Sequence, residues 1–441
     1  MTAGEAPVAL VVFTRDLRVL DNPALVAAAR GGRVVCAFVR DAAIVRGRPF
    51  DARRDAFLTE CLSDLDAALG RLGTRLVVRA GEWVDEVVHL AAEAGARAVH
   101  LSDDVTPYAR RRFARLEAAA GTRLEIRRHP GLSVVPPGAV LPAGGDHYHV
   151  FTPYHRRWLA APRRPVLAAP RLRDGGGDLP GLPVPPGPRP AGTDHGGERA
   201  ARARLDAWLR DALPDYARRR DALERPGGAR LSAALHFGCL SPLAVVEAAA
   251  RRPGADGFVR QLCWRDFYLQ VLSARPDAAW DDYVARPGAP RRDPGVLAAW
   301  REGRTGVPIV DAAMRQLTAE GLVPNRARMV VASYLTKTLG QDWRCGARHF
   351  LDHLLDADLA VNNLNWQWTA GHGTGSHPKR VLSPTRQARR FDPGGDYVRR
   401  HVPELAALDA SVIHEPWRLG AAALARLGYP LAQDGLMAVQ P

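Results

Sequence analysis

A change of hydrophobic period part-way along the chain limits its fold more than any other feature. From residue 8 to about 130, short β-rich runs alternate with amphipathic stretches. Val8–Phe13, Val34–Val39, Arg75–Arg79, Ala98–Leu101 and Leu124–Arg127 read as strands, with helices such as Pro23–Arg30 and Arg53–Leu72 between them, the second stopped by Gly73. That rhythm predicts a parallel, doubly wound sheet. No GxGxxG follows the first strand, so the ordinary dinucleotide fingerprint is absent. From Pro162 to Gly197 proline and glycine crowd together, as in Pro185-Pro186-Gly187-Pro188, and an extended linker is expected. Beyond Glu198 the 3.6 period runs almost throughout: Arg202–Leu213, Pro242–Ala250, Gly257–Ala274, Ile309–Glu320 and Asn325–Leu339, with Gly321 and Gly340 where C-caps belong. The expected architecture is α/β followed by all-α: a sheet domain over residues 1–135, a linker over 136–197 and a helical domain over 198–441.

A chain of 441 residues with 46% hydrophobic residues can bury a large core in two or three domains. Its 61 Lys and Arg outnumber 47 Asp and Glu, for a net charge of +14, and nearly all the cations are Arg. Arginine favours bidentate phosphate contacts, so a polyanion is the expected partner, nucleic acid first. A GC-rich coding sequence would explain arginine in place of lysine, but not the excess of positive charge. Five scattered cysteines without a CxxC pair argue against a disulfide framework, a zinc site or an iron–sulfur cluster. No basic leader precedes Val8 and no apolar run reaches membrane-spanning length, so a cytoplasmic protein is expected.

The richest chemistry lies in Asp356-Ala-Asp-Leu-Ala-Val-Asn-Asn-Leu-Asn-Trp-Gln-Trp368. Asp358, Asn362 and Trp366 recur every four residues and would form one helical stripe suited to a flat, hydrogen-bonding redox ring. A helix end around a buried aromatic is the competing reading, weakened because so many buried polar groups would need partners. In Phe258–Leu272, Gln261, Trp264 and Tyr268 share a face on which a carboxamide could read a base edge while an indole stacks on it. An ordinary buried face remains open there. Asn325 is available as a helix cap, and Arg328 could pair with Asp356 beside a cofactor or as a structural ion pair. Trp343, Trp366 and Trp368 could relay electrons or simply pack.

Taken together these segments resemble the photolyase/cryptochrome family. The resemblance runs through Val11-Val12-Phe13-Thr14-Arg15-Asp16-Leu17-Arg18 with Asp21-Asn22, then Phe151-Thr152-Pro153-Tyr154, then Thr305 to Arg315, and the Asp356–Trp368 run. It implies an antenna domain joined to a helical FAD domain, and light-driven electron transfer from reduced flavin to a pyrimidine dimer in DNA. It further implies Asn362 beside flavin N5, the Asp356–Arg328 pair beside the isoalloxazine, and Asp358 at its pyrimidine edge. Tyr216, Gly228, Ala229, Arg230, Leu231 and Ser232 fall in the diphosphate-binding stretch. Trp264 and Trp368 match the indoles that wedge a flipped lesion, Gln261, Asn325 and Met329 line its pocket, and Trp366 and Trp343 match an electron-transfer chain. Arg220, Arg326 and Arg380 are similar to the family's DNA-contacting arginines. Flipping costs a few kcal/mol, less for a damaged, poorly stacked dimer.

Departures from the family pattern bear on the subclass. Gly228 and Ala229 stand where Thr-Ser is usual, removing two hydroxyl donors, so backbone N–H groups must bind more of the diphosphate. Gln261 replaces the Glu usual in the cyclobutane-dimer branch; it can hydrogen-bond the lesion but not protonate it. The (6-4) branch often has Gln there but needs His where this chain has Asn325 and Met329, which favours the cyclobutane dimer. Pro290 falls near the third tryptophan of the usual photoreduction chain, leaving Trp280 or Tyr283 to complete the route. The Asp104–Arg110 segment looks more like 8-hydroxy-5-deazaflavin binders than methenyltetrahydrofolate binders, although an empty antenna pocket is an open alternative. The implied partner is UV-damaged DNA, the implied state a monomer. A cryptochrome-like photoreceptor is the alternative, disfavoured by the lack of a long tail before Pro441, and a nucleotide-binding module without photochemistry is a further one.

Overall fold

The computed structural model describes residues 6–47, 51–184, 195–224, 228–287, 290–375, 377 and 379–431. Five parallel strands form one sheet: β1 (Val8–Phe13), β2 (Arg33–Asp41), β3 (Leu76–Gly81), β4 (Ala96–Ser102) and β5 (Glu125–His129), in the order β3-β2-β1-β4-β5. The apolar runs of β1 and β2 are buried because helices cover both faces, as parallel sheets require. Leu10, Val12, Val35 and Val99 pack against Trp83, Val87 and Phe113. The Ala52–Leu72 helix ends on Gly73 in the left-handed region, with φ 98°.

Backbone contacts divide the chain into two units, Met1–Asp211 with Arg230–Pro276, and Ala212–Ala229 with Asp277–Pro441. In the first, the Asp256–Ala274 helix groups with the sheet because its buried polar groups bind the segment after β5. Asp266 Oδ2 accepts from Val134 N and Val135 N, both at 2.9 Å, and from Trp158 Nε1 at 2.9 Å. Gln270 exchanges two hydrogen bonds with the Tyr148 backbone, each 2.9 Å. The buried Arg18 guanidinium donates to the carbonyls of Asp21, Gly131 and Gly238. Gly238 has φ +74°, and a Cβ there would overlap the Arg15 backbone. The Val11–Arg18 motif is thus largely architectural.

Within the stretch expected as a linker, Phe151–Ala160 is a helix. Residues 163–184 run without regular structure, apart from a bridge of Asp174 to Val34 and one turn, alongside the sheet. The Pro185–Pro188 run lies outside the described residues.

The second unit is helical. Its core joins Trp300, Met314, Val330, Phe350, Trp366 and Tyr397. In the Thr305–Arg315 motif, Asp311 accepts from Thr305 N and Oγ1, Gly306 N and Tyr429 Oη, so this motif too is structural. The helix expected over Asn325–Leu339 is regular only to Ser333 and continues as a single π turn, Tyr334–Thr338. Asn325 is not its cap: Pro324 precedes the first turn and no side chain caps it, because Asn325 already lies inside the helix. No helix among the described residues is long and apolar enough to cross a membrane.

Candidate active site

The Asp356–Trp368 run turns sharply before it becomes helical. Asp358 caps the Leu359–Ala370 helix by accepting from Val361 N at 3.1 Å, so it stands at the helix entrance, not on the stripe proper. Asp356, just before it, accepts from Arg328 Nη2 through both oxygens, at 3.1 and 2.9 Å, while Arg328 Nε donates to Val323 O at 2.8 Å.

Inside the helix the polar residues fall into two sets. Asn363 and Gln367, one turn apart, are structural: Asn363 Nδ2 donates to Ala279 O at 2.5 Å, Gln367 Nε2 donates to Ala278 O at 2.7 Å, and Gln367 Oε1 accepts from Tyr283 N at 2.8 Å. These bonds satisfy the buried amides and shape the 278–283 segment. Asn362 differs. Its Nδ2 is committed to Ala347 O at 3.0 Å and Asn363 Oδ1 at 2.9 Å, and no described group donates to its oxygen.

This set suits a reduced isoalloxazine. The ring carries N–H donors and carbonyl acceptors along its polar edge, against which a carboxamide acceptor, a carboxylate and a guanidinium can be ranged. Among the described residues no cluster of His, Cys, Asp and Glu could hold a metal ion.

Trp366 is buried, with the edges of Trp300 and Phe350 against it at centroid distances of 6.0 and 5.2 Å. Trp343 opens the antiparallel Trp343–His353 helix, and its Nε1 donates to Asp282 Oδ1 at 2.8 Å. Trp280 lies on the same side, its carbonyl accepting from Arg344 Nε at 2.6 Å and its ring under the Arg348 guanidinium at 4.7 Å. It borders a cleft of about 610 Å³ that also admits Arg292, Arg301 and Arg344. Sequence spacing missed Trp300, because its contact with Trp366 spans the fold.

Trp368 is half-buried, with the Arg380 guanidinium 5.9 Å from its ring centre. Asn325 and Met329 meet one turn apart, Nδ2 to Sδ at 3.8 Å. Of the three arginines expected at DNA, Arg220 and Arg380 are exposed. Arg326 is half-buried: it donates to Asp221 at 2.8 Å, a carboxylate that Arg220 also approaches at 3.8 Å, and lies over Phe391 at 4.4 Å. Tyr216 is buried, which raises its hydroxyl pKa. Gly228 and Ala229 end one segment of the second unit.

In the first unit, Gln261 and Trp264 are both half-buried on the Asp256–Ala274 helix, and Gln261 makes no hydrogen bond among the described residues. Arg230 sits in the left-handed region with φ 49°, uncommon for a residue with a Cβ, immediately before Leu231 and the Ser232–Phe237 helix. Ser232 is exposed at that helix start. In the antenna segment, Asp104 accepts from Thr106 N at 2.8 Å and pairs with Arg15 at 3.3 Å; Tyr108 Oη donates to Asp41 at 2.6 Å, and burial, with that hydrogen bond second, pushes the phenol up to about 12.

Comparison with known proteins matches two stretches of the chain. Residues 9–171 match the family described as DNA photolyase, and residues 258–434 match the FAD binding domain of DNA photolyase. A deoxyribodipyrimidine photo-lyase of Streptomyces griseus is 49% identical over 435 residues, covering 96% of this chain and 95% of that one. The chain belongs to the DNA photolyase family. Among solved structures of the family, a bacterial class III photolyase from Agrobacterium tumefaciens superposes with a TM-score of 0.88 at 32% identity, covering 98% of this chain and 95% of that chain. A Synechocystis cryptochrome superposes with a TM-score of 0.89 at 27% identity, covering 99% of each. The family membership accounts for an FAD-binding domain in the second half of the chain.

Proposed function

We propose that this chain is a light-dependent deoxyribodipyrimidine photolyase that splits cyclobutane pyrimidine dimers in DNA. The observation that carries the reading is Asn362, whose amide nitrogen is held by the protein and whose oxygen is not, next along the chain from the Arg328–Asp356 pair. FAD, when bound, supplies the light-excited one-electron donor that opens the cyclobutane ring. The residues of this chain do the rest. Asn362 offers an acceptor to a ring N–H, and Arg328 with Asp356 presents a nearly neutral pair whose positive end is the more exposed, favouring an anionic ring. Asp358, at the entrance of the Leu359–Ala370 helix, takes the pyrimidine edge. Arg230, Leu231 and Ser232, with Gly228, Ala229 and Tyr216, take the diphosphate, chiefly through backbone N–H groups.

Trp264 and Trp368 stack on the flipped lesion, Gln261 donates to its carbonyls, and Asn325 with Met329 closes the pocket. Exposed Arg220 and Arg380 hold phosphates, which positions the duplex without reading sequence. Trp366 and Trp343, with half-buried Trp280 as the outer member, would relay electrons toward a bound flavin. In this reading residues 1–135 form the antenna domain, 136–197 the connection and 198–441 the flavin domain. The antenna is 8-hydroxy-5-deazaflavin in preference to methenyltetrahydrofolate, and the protein acts as a cytoplasmic monomer.

Illuminating the reduced protein with a thymine-dimer oligonucleotide tests the proposal. Thymines restored above a dark control support it; none restored, with flavin present, overturns it. A sensor without repair would instead show light-driven flavin reduction and equal affinity for damaged and undamaged DNA.

A further inference from the structure

The indole of Trp264 does not stand alone. Phe151 lies parallel to it, with ring centroids 3.7 Å apart and an interplanar angle of 3°. Phe267 meets the same indole edge-on at 5.5 Å and 87°. Phe151 is itself held: the Arg260 guanidinium lies 4.8 Å from its ring centre, His155 stacks on it at 5.5 Å, and Phe267 meets it edge-on at 5.7 Å. Phe151 is buried, whereas Trp264 is half-buried, so the cluster fixes the plane of an indole that still reaches the surface.

A second latch operates about two turns along the short helix. Trp158, near the end of the Phe151–Ala160 helix, donates its Nε1 to Asp266, two residues beyond Trp264. The short helix is therefore fastened to the long one at both ends, by a ring stack and by a buried carboxylate. An aromatic side chain held in one plane before a base arrives gives up less conformational freedom on stacking.

We infer that Phe151 is a positioning residue for lesion recognition, setting the plane in which Trp264 receives a flipped pyrimidine dimer. The inference rests on the reading of Trp264 as a lesion-stacking residue, and the experiment separates the two. Binding is measured in the dark by fluorescence anisotropy on the flavin-loaded protein, with a thymine-dimer oligonucleotide and its undamaged counterpart. Phe151→Leu keeps apolar bulk but removes the planar partner. It is expected to weaken dimer binding roughly three- to tenfold, the cost of ordering one large side chain. Undamaged-DNA affinity and flavin content stay unchanged, and Phe151→Tyr restores dimer affinity. The inference is overturned if Phe151→Leu keeps wild-type preference for the dimer, if it weakens both oligonucleotides equally, or if Tyr fails to rescue. If Trp264→Ala itself leaves dimer affinity intact, the lesion-stacking reading falls instead. Should Phe151→Leu fold poorly, Phe151→Met is read in the same way, since it keeps volume and flexibility without a flat face.

Discussion

Arg328 holds Asp356 through a single nitrogen, Nη2, that reaches both carboxylate oxygens, while its Nε is fixed by the Val323 carbonyl. The carboxylate is nearly buried and the guanidinium about a quarter exposed, with side-chain exposures of 6% and 26%. Asp356→Asn is expected to leave an uncompensated cation and to cost about 1–2 kcal/mol, less than a fully buried pair because water reaches the arginine. Urea unfolding checks the stability, and flavin absorbance after gel filtration checks retention, which is expected to fall.

Gln261 can donate to a lesion carbonyl but cannot share a proton with it. Gln261→Glu is expected to raise the yield of dimer splitting about fivefold, since a protonated carboxyl can share its proton with the lesion carbonyl as negative charge develops there, a gain of about 1 kcal/mol. Repair per absorbed photon, measured on a thymine-dimer oligonucleotide, reads this directly. A lower yield would mean that the pocket is tuned to the amide.

Asp266 gives a pH signature. Burial raises its carboxyl from the ordinary 3.8 to about 6, against the three N–H donors and nearby Arg265, with Tyr154 and Cys263 also facing it. The folded state therefore holds this proton to higher pH than the unfolded chain does. Its contribution to stability is fullest below about pH 4, declines as pH rises to about 6, and is flat above that. Asp266→Asn is expected to remove this slope, on the order of 2–3 kcal/mol across the window. Urea midpoints at pH 4, 5, 6 and 7 compare the two; parallel profiles would exclude Asp266 as the titrating group.

Trp366→Phe is expected to abolish light-driven flavin reduction in the presence of an external reductant, with flavin content unchanged. Trp343→Phe is expected to slow it strongly. Trp300→Phe, although its ring also touches Trp366, should leave reduction close to wild type, because Trp300 is fully buried and offers no route to solvent. Absorbance during illumination distinguishes the three. Loss of reduction in Trp300→Phe would redraw the path.

Local chemistry made much of this fold readable. Short Val-rich apolar runs mark β1 to β4, and Gly73 and Gly321 stop their helices because only a left-handed residue can turn the chain there. The Arg328–Asp356 ion pair was open from the residue types alone, and it forms; the place of Asn362 beside a flavin rests on the family resemblance. What could not be read was long-range: Phe151 lies more than a hundred residues before the indole it covers, and Asp266 looks like any charged residue in an amphipathic helix until Val134, Val135 and Trp158 converge on it. Arg326 shows the reverse, since nothing in its own helix reveals that Asp221 and Phe391 lie against its guanidinium. Asn325 failed as a cap because the helix begins at Asn325 itself, with Pro324 in the cap position.

Gly346 lies one turn after Trp343 on the Trp343–His353 helix, and a Cβ there would overlap the Trp366 indole and Leu335. The two helices approach as closely as they do because this position carries only hydrogen. On the proposed route from Trp343 to Trp366, a methyl group here would push the indole and the helix apart and weaken a transfer that falls off steeply with distance. The spacing the proposal needs is thus set partly by a side chain that is missing.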